Sequence, residues 1–324
     1  MGLFTQNKKN NTCTEWAILT FFAQKRTKCA EKEQYYLFTT HYICSAKRTE
    51  YLLFMTKIKD CCVLVTGGAS GIGKIMGRMA LERGARCLVI WDINEESIAA
   101  TKKEYQALGE VKGYRIDISD TKQVEATARL TEKECGKVDI LINCAGIVAN
   151  NNTFDKQTTT DIKRTIEINT IAPMIIAQQF LPDMLKRDKG HICNIASAAG
   201  MLSNPKMSVY AASKWAVIGW SDSVRIELKQ MKSNVHFTTI APYFINTGMF
   251  DGVKSRIFPI LKPEPTARKI LNAIESNKNF RGIPFSYHFI RSCQALLPTS
   301  IFDYIFGEVV GIFHAMDNFK GRKN

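Results

Sequence analysis

Between residue 58 and about residue 279, short continuous apolar runs alternate with longer amphipathic stretches. The apolar runs fall at 61–65, 87–91, 113–116, 140–143, 191–196 and 235–240. Each has strand length, and none shows the polar–apolar alternation of a sheet with one wet face. The stretches between them, 72–84, 95–107, 121–135, about 160–185 and 209–231, have helical length and amphipathic patterning. Strands alternating with helices predict βαβ units, and largely apolar strands predict a parallel sheet covered on both faces. The expected class is therefore α/β, with one doubly wound parallel sheet.

Two flanking regions depart from this pattern. Residues 1–57 mix Lys, Thr, Tyr and Phe without a sustained period. They are read as an N-terminal segment outside the 58–280 domain. Its apolar run at 16–23 is too short to span a membrane, and Gln6 stands where an N-myristoylation pattern wants Ser or Thr. Residues 281–324 turn apolar and aromatic again and predict a helical extension. Pro298-Thr299-Ser300 is a helix start, and one helix would align Ile301, Ile305, Val309, Ile312 and Met316 along one side. Such a helix fits a membrane interface or a substrate entrance as well as simple packing on the core. Lys320, Arg322 and Lys323 follow it and suit anionic headgroups.

Composition narrows the partners. The formal net charge is +14, but the Lys and Arg residues are scattered with no long run. That argues against nucleic acid as a partner and suits an anionic membrane surface better. The ten cysteines form no CxxC pair and no cluster with zinc-ligand spacing. They are expected to be free thiols of a reducing compartment, and no metal site is expected.

The first candidate chemistry lies where the first strand meets the first helix, in Thr66-Gly67-Gly68-Ala69-Ser70-Gly71-Ile72-Gly73. A glycine triplet alone is weak, but one that follows a strand and opens a helix within a βαβ unit is the dinucleotide-binding signature of the Rossmann fold. Gly67 permits the tight turn, Gly71 lets the backbone approach a pyrophosphate, and Gly73 lets helix and strand pack closely. Asp92 ends the second strand, nineteen positions after Gly73. A carboxylate there accepts from ribose hydroxyls and repels a 2′-phosphate, so NAD is expected as the cofactor. Lys74 is the competing signal for NADP. Asp117-Ile118, after the third strand, suits either an adenine contact or a turn-capping role for Asp117.

Tyr210 and Lys214 are four apart in a helical stretch and so share one face. Such a pair is ordinarily a solvated surface. Here it accompanies Asn143-Cys144-Ala145-Gly146, Asn169, Ser197 and the glycine motif, in order. Together these residues resemble the short-chain dehydrogenase/reductase family over about residues 58–280. The resemblance implies oxidation or reduction at a CH–OH carbon. Tyr210 would be the general base, Lys214 would lower its pKa and hold the nicotinamide ribose, and Ser197 would hold the substrate oxygen. Asn169 would support a water-linked proton relay. Asn143, Ala145, Gly146, Pro242 and Thr247 would border the cofactor, along with Thr66, Ser70, Ile72 and Ile118. Two positions depart from the family pattern: Cys144, where Asn is more frequent, and Tyr243, where Gly often follows the proline.

Trp91-Asp92-Ile93-Asn94, Asn246-Thr247-Gly248-Met249-Phe250 and Met316-Asp317-x-Phe319-x-Gly321-Arg322 resemble one branch of that family, which holds retinol and 17β-hydroxysteroid dehydrogenases. The resemblance implies a lipophilic alcohol, ketone or aldehyde as substrate. It also implies a cytosol-facing endoplasmic reticulum membrane or a lipid droplet as location, and a homodimer. The competing expectations are an NADPH-dependent carbonyl reductase and a catalytically idle nucleotide-binding lipid-droplet protein.

Overall fold

The computed structural model describes residues 55–321 apart from 256 and 257. The apolar run at 16–23, Gln6, Arg322 and Lys323 lie outside the described residues.

All the expected strands form. They are β1 (Cys62–Thr66), β2 (Cys87–Asp92), β3 (Glu110–Arg115), β4 (Ile140–Asn143), β5 (Gly190–Ile195) and β6 (Val235–Pro242). A seventh, β7 (Phe280–Ile283), completes one parallel sheet of order β3-β2-β1-β4-β5-β6-β7. The order reverses between β1 and β4, and there the carboxyl ends of neighbouring strands diverge to open a crevice. The sheet thus runs past the boundary expected at residue 280. At the other end, Ile58 is buried and Thr56 donates through its hydroxyl to Asn277 Oδ1 at 2.6 Å, so packing begins before residue 58.

Helices cover both faces. On one side lie α1 (Gly71–Glu82), α2 (Glu95–Tyr105) and α7 (Pro263–Glu275), which pack with Val63, Val65, Leu88 and Ile90. On the other lie α3 (Thr121–Cys135), α5 (Ala172–Lys186) and α6 (Ser208–Gln230), over Leu64, Val89, Leu141 and Phe237. Trp91, fully buried, packs its ring 5.9 Å from Phe180 and donates to Thr131 at 3.1 Å. The expected long helix at 160–185 forms as α4 (Thr159–Ile166), a π turn over Glu167–Ile171 and then α5. Pro173 has no N–H, so the Asn169 carbonyl loses its ordinary helical donor where the helix widens.

The C-terminal extension differs from expectation. After α8 (Ser286–Leu296), α9 begins at Thr299 as expected and runs through Phe302 into a π turn over Asp303–Val309. Gly311, at φ 81°, then reverses the chain into a short turn at Ile312–His314. Phe313 packs on Gly307 where any Cβ would lie 2.2 Å from its ring. The expected single stripe is therefore split. Ile301, Ile305 and Val309 face solvent, whereas Ile312 and Met316 are buried. The seven described cysteines are all free.

At the amino ends of β5 and β6, His191 is fully buried. The Thr238 hydroxyl donates to the Lys278 carbonyl at 2.7 Å and so accepts from His191 Nε2, 2.8 Å away. Burial, helped by the nearby His236, pushes the His191 pKa down to about 3. Below pH 6.5 the unfolded chain takes up a proton that the folded chain refuses, so this site loses stability as pH falls from 6.5 towards 3. Urea denaturation at pH 7 and pH 5 should show about 2 kcal/mol more loss for the wild type than for His191→Gln. Equal losses in the two proteins would contradict the buried neutral imidazole.

Candidate active site

The crevice holds a cavity of about 270 Å³ that reaches from the β1–α1 turn to the start of α6. Gly67 and Gly71 adopt positive φ, 65° and 54°, which side-chain-bearing residues rarely hold. A Cβ on Gly73 would lie 2.3 Å from the Gly67 carbonyl oxygen, so turn and helix can meet only through glycine. The first turn of α1 carries no acidic side chain, which leaves its amide end open to an anion. This backbone cradle fits a dinucleotide pyrophosphate, and Ser70, Gly71, Ile72 and Gly73 all border the cavity.

Asp92 borders the cavity too, its carboxylate fixed by backbone donors. Ala69 N reaches Oδ2 at 3.0 Å and Asn94 N reaches Oδ1 at 3.1 Å. Lys74 points elsewhere: it pairs with Glu104 at 2.6 Å and lies over the Tyr105 ring. Asp117 accepts from both the amide and the hydroxyl of Ser119, at 3.0 and 2.6 Å, so the turn-capping role is realised while its residue still borders the cavity with Ile118.

At the inner end, Ser197, Tyr210 and Lys214 border the cavity together. Ser197 follows β5, and its Oγ accepts from Ala199 N at 3.1 Å. Lys214 is 5% exposed, donates to the Ile195 carbonyl at 2.9 Å and lies 5.7 Å from the centre of the Tyr210 ring. Burial pushes the Lys214 ammonium down to about 8, against a smaller opposing effect from Cys144. Burial likewise pushes the Tyr210 phenol up to about 12, with a hydrogen bond from Ser197 pulling the other way. Both shifts have one cause: a dry pocket disfavours whichever form carries charge.

Two expected cofactor contacts, Thr66 and Asn143, and the expected relay residue Asn169 do not border the cavity. Thr66 Oγ1 accepts from Cys144 N at 3.0 Å and Ala145 N at 3.1 Å, fastening the ends of β1 and β4. Asn143 turns its amide into the sheet and donates to Asn194 Oδ1 at 2.8 Å, its partner across the β4–β5 pairing. Asn169 is consumed structurally. Its Oδ1 accepts from Ile147 N at 2.8 Å, and its Nδ2 donates to the Ile147 carbonyl and to Ser213 Oγ, at 2.9 and 3.1 Å. Ala145, Gly146, Pro242 and Thr247 do border the cavity. Cys144 borders it as a thiol, held neutral by burial that raises it to about 12.

The wall also contains residues that the sequence reading did not single out as contacts: Ile147, Arg164, Ile168, Tyr243, Ile245, Met249 and Phe250. Tyr243 takes the place of the usual glycine without breaking the loop. It is buried, packs at a tilt against Phe244 with ring centres 4.6 Å apart, and donates to Ser255 Oγ at 3.1 Å. Phe250 meets Tyr210 edge to face at 6.1 Å. Their apolar side chains were legible; their convergence depends on the loop after β6.

Comparison with known proteins agrees with this arrangement. Residues 61–257 match the short chain dehydrogenase family. Epidermal retinol dehydrogenase 2 of Mus musculus is 34% identical over 267 residues, 81% of this chain and 85% of that protein. Estradiol 17-beta-dehydrogenase 11 of Homo sapiens is 32% identical over 238 residues, 73% of this chain and 79% of that protein. A solved structure of a putative short-chain dehydrogenase from Novosphingobium aromaticivorans shares the fold, with TM-score 0.65, 24% identity, and coverage of 78% of this chain and 88% of that one. With the glycine cradle and the dry Tyr–Lys pocket at opposite ends of one crevice, the chain belongs to the short-chain dehydrogenase family of NAD(P)-binding oxidoreductases.

Proposed function

We propose that the protein oxidises a lipophilic alcohol with NAD, using Tyr210 as the general base. The observation that carries this reading is the grouping of Tyr210, Lys214 and Ser197 at the apolar end of the cavity that begins at Asp92 and the glycine turn. Bound NAD supplies a hydride acceptor and a positive charge that favours the phenolate. The chain's own groups do the rest. Ser197 holds the substrate oxygen, and Tyr210 takes its proton as the carbon gives up hydride. Burial alone drives Tyr210 the wrong way for a base; the hydrogen bond from Ser197 opposes it, and a cation at Lys214, 5.7 Å from the ring centre, favours the phenolate further. With its pKa at about 8, Lys214 remains largely charged at neutral pH. Asn169 acts by fixing Ile147 and Ser213.

Two features support the substrate class. The cavity that holds Tyr210 is lined in part by Ile147, Tyr243, Met249 and Phe250, and the names of the relatives above point to retinol and estradiol as alcohols of that kind. The Asp92 carboxylate supports NAD over NADP, because a 2′-phosphate beside it would meet like charge. Lys74, tied to Glu104, offers that phosphate no partner. We place the protein at a cytosol-facing endoplasmic reticulum or lipid-droplet surface. Among the described residues no helix is long and apolar enough to cross a membrane. However, α8 turns Phe289 and Leu296 to solvent beside Phe285, at 68%, 83% and 69% exposure. Ile301, Tyr304, Ile305 and Val309 continue the apolar surface onto α9 and its π turn. An exposed apolar surface on that scale suits an interface better than water.

A panel of retinol, a 17β-hydroxysteroid and ethanol, run with both cofactors, tests the activity. The lipid alcohols should be oxidised and ethanol should not. NAD should be favoured over NADP by at least about a hundredfold in kcat/KM, and Asp92→Ser should reduce that preference by about tenfold or more. Turnover only with NADPH and a carbonyl would overturn this reading. For the surface, flotation with phosphatidylserine-containing vesicles should carry the wild type upward. A Phe289→Glu/Leu296→Glu variant should stay with the soluble fraction, and equal flotation of both would count against these helices as the contact.

A further inference from the structure

Phe250 stands between two cavities. It borders the main cavity beside Tyr210 and also a second one of about 20 Å³, enclosed with Leu202, Asn204, Phe244 and Ile312. Ser197 and Tyr243 border both as well, so the two spaces adjoin at the catalytic end. The smaller one has room for about one water molecule and none for a substrate carbon skeleton. Its wall is mostly apolar. The exception, besides Ser197, is Asn204, whose buried Oδ1 has no hydrogen-bond partner among the described residues.

The position of Phe250 is set from outside the domain core. Its ring lies edge to face with Phe244 at 5.0 Å and close to Phe319 of the C-terminal segment at 6.4 Å. Residues 315–320 are pinned to the loop that carries it. Lys320 N donates to the Asp251 carbonyl at 2.9 Å, and Lys254 N donates to the Ala315 carbonyl at 3.2 Å. Gly252, at φ 84°, comes so close that a Cβ would lie 2.0 Å from the Asn318 carbonyl oxygen. Lys206, from the turn that carries Asn204, pairs with Asp317 at 2.9 Å. The segment thus clamps both loops that border the small cavity.

We propose that Phe250 is a specificity-determining residue: a partition, held by residues 315–320, that sets the inner limit of the substrate cavity. Removing its ring joins the two spaces and admits bulk beside Tyr210 that the wild type excludes. The inference rests on the reading of the main cavity as an alcohol site, and it predicts a change of preference more than a change of rate. Each additional buried methylene gains about fourfold in binding, so newly burying between one and two methylenes of a bicyclic alcohol once the partition is gone should raise its preference over a small ring roughly tenfold.

The test compares kcat/KM for 2-decalol and cyclopentanol, with the same alcohols titrated by thermal shift as a readout that needs no turnover. In Phe250→Ala the bicyclic-to-monocyclic ratio should rise about tenfold, and in Phe319→Ala it should rise by a smaller factor. Should Phe250→Ala fail to fold, Phe250→Leu should shift the ratio the same way. A ratio within twofold of wild type, or an equal fall for both alcohols, would overturn the partition. Wild-type failure to oxidise any alcohol would strike the proposed function instead, and the binding preference would still decide the role of Phe250.

Discussion

The burial of the Lys214 ammonium is the constraint on which the catalytic end of this structure depends. A cation at 5% exposure needs a hydrogen-bond acceptor, and the Ile195 carbonyl at the end of β5 supplies one at 2.9 Å. That bond fixes α6 against the sheet and brings Tyr210, one turn earlier on the same helix face, to the open ends of the strands. The approach is close. A Cβ on Gly146 would lie 3.5 Å from Lys214 Nζ and 3.2 Å from Asn169 Oδ1, and one on Gly200 would lie 2.6 Å from the Lys214 carbonyl oxygen. The glycine at 200 is what lets the helix backbone at Lys214 come this close, and the one at 146 leaves room for Asn169.

The same dryness explains the division of labour along the crevice. At the outer end, charge is met by backbone: two amides fix Asp92, and glycine leaves the α1 amides accessible. At the inner end burial pushes Tyr210 and Lys214 towards their neutral forms, and what opposes it is local: the Ser197 hydrogen bond at Tyr210 and the Ile195 carbonyl at Lys214. Phe250 and Tyr243 form part of that inner wall, and the C-terminal segment packs behind them in the same apolar cluster.

Much of this was legible in the sequence because it is local. The apolar runs of β1, β2, β4, β5 and β6 are continuous, and the glycine spacing and the Tyr210–Lys214 spacing each lie within one turn or loop. What was not legible depends on distant partners. β7 contains Arg281 and Gly282 in four residues and becomes a strand only beside β6. Asn143 reads as a cofactor contact until the β4–β5 register sets Asn194 beside it. The tail reads as one helix because Gly307 and Gly311 are each tolerable as isolated glycines in the pattern. The packing of Phe313 on Gly307 and of Ile312 and Met316 into the core is what turns the chain there.

The most direct test of the catalytic account is single-turnover hydride transfer from a lipid alcohol to NAD, measured beside NAD binding in the same samples of wild type and Tyr210→Phe. Loss of only the phenolic oxygen should slow transfer by about a thousandfold, the scale of general-base catalysis, while the Kd for NAD stays within about threefold. Transfer at the wild-type rate by the phenylalanine variant would contradict the assignment of Tyr210 as the base.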